Sequence, residues 1–372
     1  MNKIIITTAL VLTSFLGFSQ DYEFTTVKNI DCSTVKSQGR TGTCWSYSTS
    51  SFLESEIKRI KNKNVDLSEM YTVRNTYPTK AWNYVMRQGK AQFSQGGLAH
   101  DVINSVANYG LVPEQAFTGL AIGEKTHNHS EMLAVLKGML DVYIKNPAKK
   151  LSPRWKKAIS SVLDVYLGKN KSNFNFEGKT YTPKEFAKTM GIDAQNYVTI
   201  TSFTHQPLHK PFVLNIPDNF SNGSMYNVTL DEFEHVMSNA INKGYSVALD
   251  VDVSEKTFSS KNGIAVIPAD GVKTKDALKG IQKEKNITAA YRQQEFENFD
   301  TTDDHLMHIV GTAKDKNGTL YYKVKNSWGS EGSRIKFGGY VYMSSAFIRL
   351  KAISVLVHKN ALDKKLSKKL GL

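Results

Sequence analysis

Cys44 is the residue of this 372-residue chain best suited to act as a nucleophile. It follows the Gly- and Thr-rich residues 38–43, and apolar residues recur after it at helical spacing. Cys44 is therefore predicted in the first turn of a helix, with Thr43 as the N-cap. The helix dipole and the unpaired N–H groups of a first turn stabilise thiolate, the nucleophilic form of cysteine. The alternative is a packed structural cysteine, and this position alone does not decide between the two.

A nucleophilic thiolate needs a proton acceptor and a group that orients it, and His305 has the neighbours for both roles. His305 opens a predicted strand, a polar turn follows at residues 314–318, and Asn326 closes the next strand. In such a hairpin the two residues approach each other. Asn326 would then accept the imidazole N–H, and the ring of Trp328 would shield that hydrogen bond from water. His308 is predicted to point to the opposite strand face and to serve as a packing or surface residue.

The other histidines have no comparable neighbours. Those in polar or irregular stretches are interpreted as solvated or locally hydrogen-bonded, namely His127, His129, His205, His209 and His235. His100 and His358 are interpreted as structural.

Three separated blocks resemble those of the papain superfamily of cysteine peptidases. QGRTGTCWSYS is similar to its nucleophile block, DHLMHIVG to its histidine block and KNSWG to its asparagine block. The resemblance implies that Cys44, His305 and Asn326 are catalytic and that the Gln38 side chain donates to the oxyanion. It also implies no metal and no organic cofactor.

A fourth stretch, Ser94-Gln95-Gly96-Gly97, resembles the paired-glycine segment whose backbone binds the substrate as an added strand. The resemblance makes Gly96, Gly97 and Trp328 candidate substrate-binding residues. Thr41 and Ser94 stand where secreted papains carry a disulfide pair.

In the absence of both of these cysteines, and in further short blocks, the sequence resembles the bleomycin hydrolase and aminopeptidase C branch. The resemblance to that branch implies aminopeptidase action on peptide substrates. It also suggests that the chain's last residues, 369–372, could lie in the cleft.

The fold implied by the resemblance is α+β, a papain-like two-lobed fold. Residues 21–117 would form a mainly helical left half, and residues 244–372 an antiparallel β right half with the C-terminal tail. Residues 118–243 would form a partly helical basic insertion between them. Apolar residues at helical spacing from Trp155 to Tyr166 predict an amphipathic helix there. The helix after Cys44 is expected to carry the pair Glu54–Lys58 on its outer face.

The amino-acid composition excludes several classes of protein. Because 40% of the residues are hydrophobic and 22% are charged, the chain is not disordered, collagen-like or a coiled coil. Two cysteines exclude a disulfide scaffold and a Cys-rich zinc site. The formal charge is +14, with basic residues concentrated at residues 145–171 and in the tail. Solvated helix faces are the favoured interpretation, and weak non-specific polyanion binding is the alternative.

Residues 1–20 have the layout of a bacterial-type secretory signal, with Lys3, an apolar run at residues 4–18 and small residues before Asp21. The alternatives are a membrane anchor and a buried helix, but the run is shorter than the about 20 residues of a spanning helix. We therefore expect an exported protein, periplasmic or secreted, without a stable membrane anchor.

The combined expectation is an exported cysteine peptidase with a Cys-His-Asn mechanism, an aminopeptidase of bleomycin hydrolase type. An endopeptidase with an open cleft stays open as an alternative. So does a non-catalytic polyanion-binding protein on a peptidase scaffold. The sequence leaves a homo-oligomer and the state of Cys32 undecided.

Overall fold

The structure is a computed structural model, and it describes residues 22–120, 123–148 and 150–372. The predicted secretory signal lies outside the described residues. The α-helices of the described part are α1 Cys44–Lys61, α2 Glu69–Met86, α3 Ala99–Tyr109, α4 Ser130–Ile144, α5 Trp155–Leu167, α6 Pro183–Thr189, α7 Leu230–Asn242, α8 Thr274–Lys279, α9 Ala289–Glu297, α10 Ser345–Lys351 and α11 Lys364–Leu370. Its strands are β1 Thr25–Asn29, β2 Phe174–Phe176, β3 Lys179–Tyr181, β4 Tyr197–Thr201, β5 Pro211–Val213, β6 Ser224–Asn227, β7 Val247–Val251, β8 Phe258–Ser259, β9 Ile264–Ala265, β10 His305–Lys314, β11 Leu320–Lys325, β12 Tyr340–Ser344 and β13 Ala352–His358.

One large sheet forms the β half of the molecule, with strand order β5-β6-β4-β13-β7-β10-β11-β12-β9-β8 and β1 paired to β10. Its central strands alternate between two cores, as the two-residue period of a strand requires. On β10, Leu306 packs into the helical core, whereas Met307 and Ile309 pack into the core that includes α7. The sheet is therefore covered on both faces, and the architecture is α+β, as predicted.

Helix α1 lies along β10, and small polar side chains make the contact. Ser48 donates to the carbonyl of Met307 at 2.6 Å, and Ser51 lies 2.9 Å from Nδ1 of His308. These serines follow Cys44 at roughly one and two turns, so all three share one helix face. Because serine is short, the helix axis can approach the strand closely. This contact places the start of α1 beside the start of β10.

Two details of α1 differ from the sequence prediction. Thr43 occupies the N-cap position, but its hydroxyl contacts the hydroxyl of Thr41 at 2.6 Å and makes no capping bond to the helix. Glu54 is buried, where it accepts from the backbone N–H of Leu67 at 2.9 Å and from the hydroxyl of Ser33. The prediction of an outward-facing Glu54 was wrong because α1 is enclosed on nearly all sides from Cys44 to Ile57.

The predicted hairpin is formed by β10 and β11. Lys325 pairs with His308, so Asn326 follows at the end of the sheet where β10 begins. The register shifts between Ile309 and Gly311. A Cβ at Gly311 would lie 2.4 Å from the carbonyl oxygen of Lys28, so only glycine allows β1 to pass this closely.

Residues 118–243 do not form one separate insertion in the structure. The amphipathic helix predicted from Trp155 is α5, and its buried face joins the helical core, so this prediction is confirmed. By contrast, β4 and β6 belong to the large sheet, and α7 packs in the β-half core. The β half therefore begins before residue 244, because strands that are distant in sequence complete the same sheet. None of the helices in the described ranges is long and apolar enough to cross a membrane.

Candidate active site

His305 and Asn326 meet where β10 begins and β11 ends. Nε2 of His305 lies 2.8 Å from Oδ1 of Asn326. The ring of Trp328 lies with its centroid 4.8 Å from that of His305, while the indole remains 41% exposed. Trp328 thus covers the imidazole on the solvent side. The arrangement is the one that the two sequence blocks predict.

Cys44 is the first residue of α1 and is buried beside the start of β10. The backbone N–H of Leu306, the residue after His305, lies close enough to the sulfur to favour the thiolate, as does that of Trp45. The packing of α1 on β10 therefore brings the thiol to the strand position next to the imidazole. This juxtaposition joins residues from opposite ends of the chain.

Burial dominates the proton affinities at this site. It raises the pKa of the Cys44 thiol to about 12, and the negative charges of Asp218 and Asp303 act in the same direction. Burial lowers the pKa of His305 to about 4, although the hydrogen bond with Asn326 acts to raise it. Burial therefore disfavours each charge taken separately. The pairing of a Cys44 thiolate with a protonated His305 stays a prediction.

Gln38 connects the nucleophile block to the asparagine block. Its backbone N–H donates to the carbonyl of Ser327 at 2.9 Å, and its Oε1 accepts from the Ser327 hydroxyl at 2.6 Å. Its Nε2 donates to the carbonyl of Thr41 at 2.6 Å. A primary amide has two N–H groups, so one remains for a further acceptor. Its role as an oxyanion donor stays a prediction.

The paired glycines lie directly beside the nucleophile loop. The side-chain Oε1 of Gln95 accepts from the backbone N–H of Gly42 at 2.7 Å. The backbone carbonyl of Gln95 accepts from the indole N–H of Trp45 at 2.9 Å. A Cβ at Gly97 would lie 3.2 Å from the Trp45 ring. Glycine therefore lets this segment lie close to the start of α1, and its role in substrate binding stays a prediction.

Sequence reasoning missed Asp218, which covers the other glycine. A Cβ at Gly96 would lie 1.8 Å from Oδ2 of Asp218, so the carboxylate fills the space that a side chain would need. Asp218 belongs to the β5–β6 connection, in the region that the sequence analysis assigned to the insertion. No motif in the sequence signals that this loop reaches the cleft.

The C-terminal tail packs away from the candidate cleft residues. Leu366 and Leu370, one turn apart on α11, are buried in the β-half core, and Lys369 forms an ion pair with Glu232 on α7. The suggestion that residues 369–372 lie in the cleft is therefore wrong. An amphipathic helix with two leucines on one face gains more from an apolar core than from an open groove.

The remaining singled-out residues have structural surroundings. His308 is buried against Ser51, as strand alternation predicts. His129 is also buried, next to the ring of His127, so its interpretation as a solvated or locally hydrogen-bonded residue was wrong. Cys32 is not bridged to Cys44, and its sulfur lies 3.4 Å from the Tyr340 hydroxyl. Among the described residues no group of three His, Cys, Asp or Glu side chains could hold a metal ion.

Comparison with known families identifies the chain. A model of the Peptidase C1-like family matches residues 84–371, well over half of the sequence. This chain belongs to the Peptidase C1-like family. A model of the papain family of cysteine proteases matches residues 19–131, the part that contains the nucleophile block. The chain is therefore a cysteine-type peptidase, and the predicted family is confirmed.

Curated members of this C1-like group match across most of the chain. Aminopeptidase G of Lactobacillus delbrueckii subsp. lactis is 24% identical over 89% of this chain and 82% of its own length. Aminopeptidase E of Lactobacillus helveticus is 24% identical over 90% and 83%, respectively. Aminopeptidase C of Listeria monocytogenes is 23% identical over 89% and 81%.

A solved structure gives the fold. The crystal structure of PepW from Lactobacillus rhamnosis superposes with a TM-score of 0.73 at 18% identity, covering 93% of this chain and 84% of that chain. The predicted α+β papain-like fold is therefore confirmed.

Proposed function

We propose that this protein is a cysteine aminopeptidase whose nucleophile is Cys44 and whose acid-base group is His305. The observation that carries the proposal is the 2.8 Å contact between His305 and Asn326 at the strand position where the Cys44 sulfur meets the N–H of Leu306. Family membership supports peptide substrates, and the relatives named aminopeptidase support action at the amino terminus.

The first chemical step transfers the thiol proton to His305 as the sulfur attacks the substrate carbonyl carbon. The neutral pair and the thiolate-imidazolium pair hold the same number of protons, so a change of pH does not convert one into the other. The N–H groups at the start of α1 and the attraction of the new imidazolium offset the burial of the thiolate. A free thiol and a free imidazole can therefore react without an ion pair in the resting protein.

The remaining steps use the same residues. The backbone N–H of Cys44 and the free N–H of the Gln38 amide hold the oxyanion, and each such donor contributes about 2.7–4 kcal/mol in acyl transfer. His305 then gives its proton to the leaving amine, and a thioester forms on Cys44. Water, deprotonated by His305, attacks the thioester and releases the acid and the thiol. Asn326 holds the imidazole in position throughout.

Substitution of the two cysteines tests the proposal. The change Cys44→Ala removes the nucleophile and is expected to abolish hydrolysis of an aminoacyl reporter peptide while the protein stays folded. The matched control is Cys32→Ala, because Cys32 is also a free thiol but its sulfur lies against the Tyr340 hydroxyl. A thiol-directed epoxide should label the wild type and the Cys32→Ala protein and leave Cys44→Ala unlabelled. Hydrolysis retained by Cys44→Ala would refute the assignment.

A second candidate is an endopeptidase with an open cleft, and the position of the tail favours it. Because α11 packs against α7, the last residues of the chain do not close the groove beside Cys44. Cleavage of peptides with acetylated amino termini as fast as of free ones would support this candidate over the aminopeptidase.

We also propose that the protein is exported after removal of residues 1–20. The support is the basic, apolar and small-residue order of that segment in the sequence. Expression in a bacterial host, fractionation and amino-terminal sequencing of the product test it. A mature protein that begins near residue 21 in the periplasm or medium is expected, and full-length protein in the cytosol would contradict export.

A further inference from the structure

The β5–β6 connection, residues 214–223, is an internally bonded loop that docks on the helical half. Asn219 organises it, because its side chain donates to the carbonyls of Leu214 and Gly223 at 3.0 Å and accepts from the N–H of Gly223 at 2.7 Å. Ser221 then contacts Nε2 of His100 on α3 at 3.0 Å. These bonds fix the loop, so the position of Asp218 within it is fixed as well.

The Asp218 carboxylate has one bonded oxygen and one available oxygen. Oδ1 accepts from Nε2 of Gln92 at 2.8 Å and from the Ser94 hydroxyl at 3.3 Å. Oδ2 lies against Gly96, and among the described residues the hydrogen bonds to this side chain all end on Oδ1. Asp218 is half-buried, so part of the residue remains accessible. A carboxylate oxygen has lone pairs for a donor that the protein does not supply.

Asp218 connects the glycine segment with the residues that precede β10. Its side chain lies on the glycine segment, and its backbone N–H lies close enough to the Asp303 carboxylate to favour the ionised form. Asp303 precedes His305 by two residues. The negative charge of Asp218 also opposes ionisation of Cys44, so the two groups lie within electrostatic reach of each other. A substrate laid along Gly96 and Gly97 would therefore lie beside the Asp218 carboxylate.

The local charges favour a cation beside Asp218. Lys80 is buried, donates to the carbonyl of Gly96 and lies over the ring of Phe220 with Nζ 4.5 Å from the centroid. The carboxylates of Asp218, Asp101 and Asp303 all act on Lys80, so this one ammonium faces three acidic groups. Burial raises the pKa of Asp218 and of Asp303, and a bound cation would offset that cost for Asp218.

From this geometry we infer that the Asp218 carboxylate binds the free α-ammonium of the substrate and thereby restricts cleavage to peptides with an unblocked amino terminus. The inference rests on the proposed function and names the class of substrate for the same site. The structure assigns this selection to an internal loop, since the C-terminal tail is packed against α7. Asp218 is a specificity-determining residue in this scheme and takes no part in the proton transfers.

The change Asp218→Asn tests the inference, because it removes the charge and keeps the shape. We would measure kcat/KM for reporter peptides with one or two residues before the scissile bond, each with a free and with an acetylated amino terminus. The wild type should strongly prefer the free form. In Asp218→Asn, kcat/KM for free peptides should fall about 10- to 100-fold, the value of a hydrogen bond between charged groups. Acetylated peptides should change by less than about threefold.

A matched control is Asp270→Asn, since Asp270 is an exposed aspartate that pairs with Lys285 on the surface. It should leave the ratio of free to acetylated rates unchanged. Thermal unfolding of both variants shows whether each is folded. A second measurement uses the wild-type enzyme alone. A peptide whose α-amine is replaced by hydrogen should have a kcat/KM about 10- to 100-fold below that of the free peptide.

The outcomes separate this inference from the proposed function. Wild-type protein that cleaves neither free nor acetylated peptides would refute the proposed function, and the inference with it. Equal wild-type rates for the free, acetylated and des-amino peptides would leave a cysteine peptidase and refute the inference. An equal fall for free and acetylated peptides in Asp218→Asn would show that Asp218 only supports the glycine segment.

Discussion

Two histidines on one strand, His305 and His308, have similar burial and different surroundings. His305 is 4% exposed and His308 is 1% exposed, and burial lowers the pKa of both rings. His305 contacts Asn326 at the start of β10, and the N–H of the next residue, Leu306, lies near the thiol of Cys44. His308 contacts Ser51 in the middle of the interface with α1. The two residues therefore have the same type and similar burial. Only the groups that they contact distinguish His305, a candidate base, from His308, a packing residue.

The largest expected effect is on kcat, and it is measured by making the same substitution at each of the two histidines. His305→Asn removes the proton acceptor and should lower kcat for an aminoacyl reporter by about 10³-fold or more. His308→Asn should leave kcat per folded molecule within about threefold and lower the free energy of unfolding by about 1–3 kcal/mol. Steady-state kinetics and urea unfolding of both variants measure this. Equal losses of kcat would erase the distinction between the two residues.

The next effect is on pH dependence and concerns His305 alone. Burial depresses its pKa to about 4, below the usual 6.5. The imidazole therefore stays unprotonated on acidification until about pH 4, so kcat/KM should hold from neutral pH to about pH 5 and fall near pH 4. Rates between pH 3.5 and 8, with circular dichroism at each pH as the control for unfolding, test this. An acidic limb near pH 6.5 would mean that His305 is solvated and not buried.

The smallest effect concerns the partner of His308. Ser51→Ala removes a hydroxyl that contacts Nδ1 of His308 and accepts from Nζ of Lys325 at 2.8 Å. The free energy of unfolding should fall by about 1–3 kcal/mol, because buried polar groups lose a partner. Catalysis should be unchanged. Ser161→Ala is the control, since that serine is exposed on α5. A loss of activity in Ser51→Ala would link His308 to the site.

Much of the candidate site could be predicted because its members stand in short local patterns. The helix after Cys44 and the hairpin between His305 and Asn326 are specified by apolar spacing and by a polar turn, which are properties of neighbouring residues. Both elements form as predicted. The outward position assigned to Glu54 failed, since local spacing does not show that a helix is covered on nearly all its faces.

The remainder depends on contacts between distant segments. The sequence shows a tail with leucines one turn apart, yet only the fold presents the α7 surface that buries them. It shows an aspartate at position 218, yet only the docking of the β5–β6 loop places that carboxylate on Gly96. Neither contact can be predicted from residue spacing, because each joins segments that are far apart in the sequence.

The sequence by itself determined the chemistry: a cysteine at a helix start, a histidine and an asparagine at the ends of paired strands, and glycines where a backbone must come close. Each follows from local residue types, whose conformational preferences act over a few positions. The tertiary structure alone decided the directions in which the pKa of the thiol and of the imidazole shift, and which carboxylate lies against Gly96. Those properties depend on desolvation and on charges brought near through space, and packing sets both.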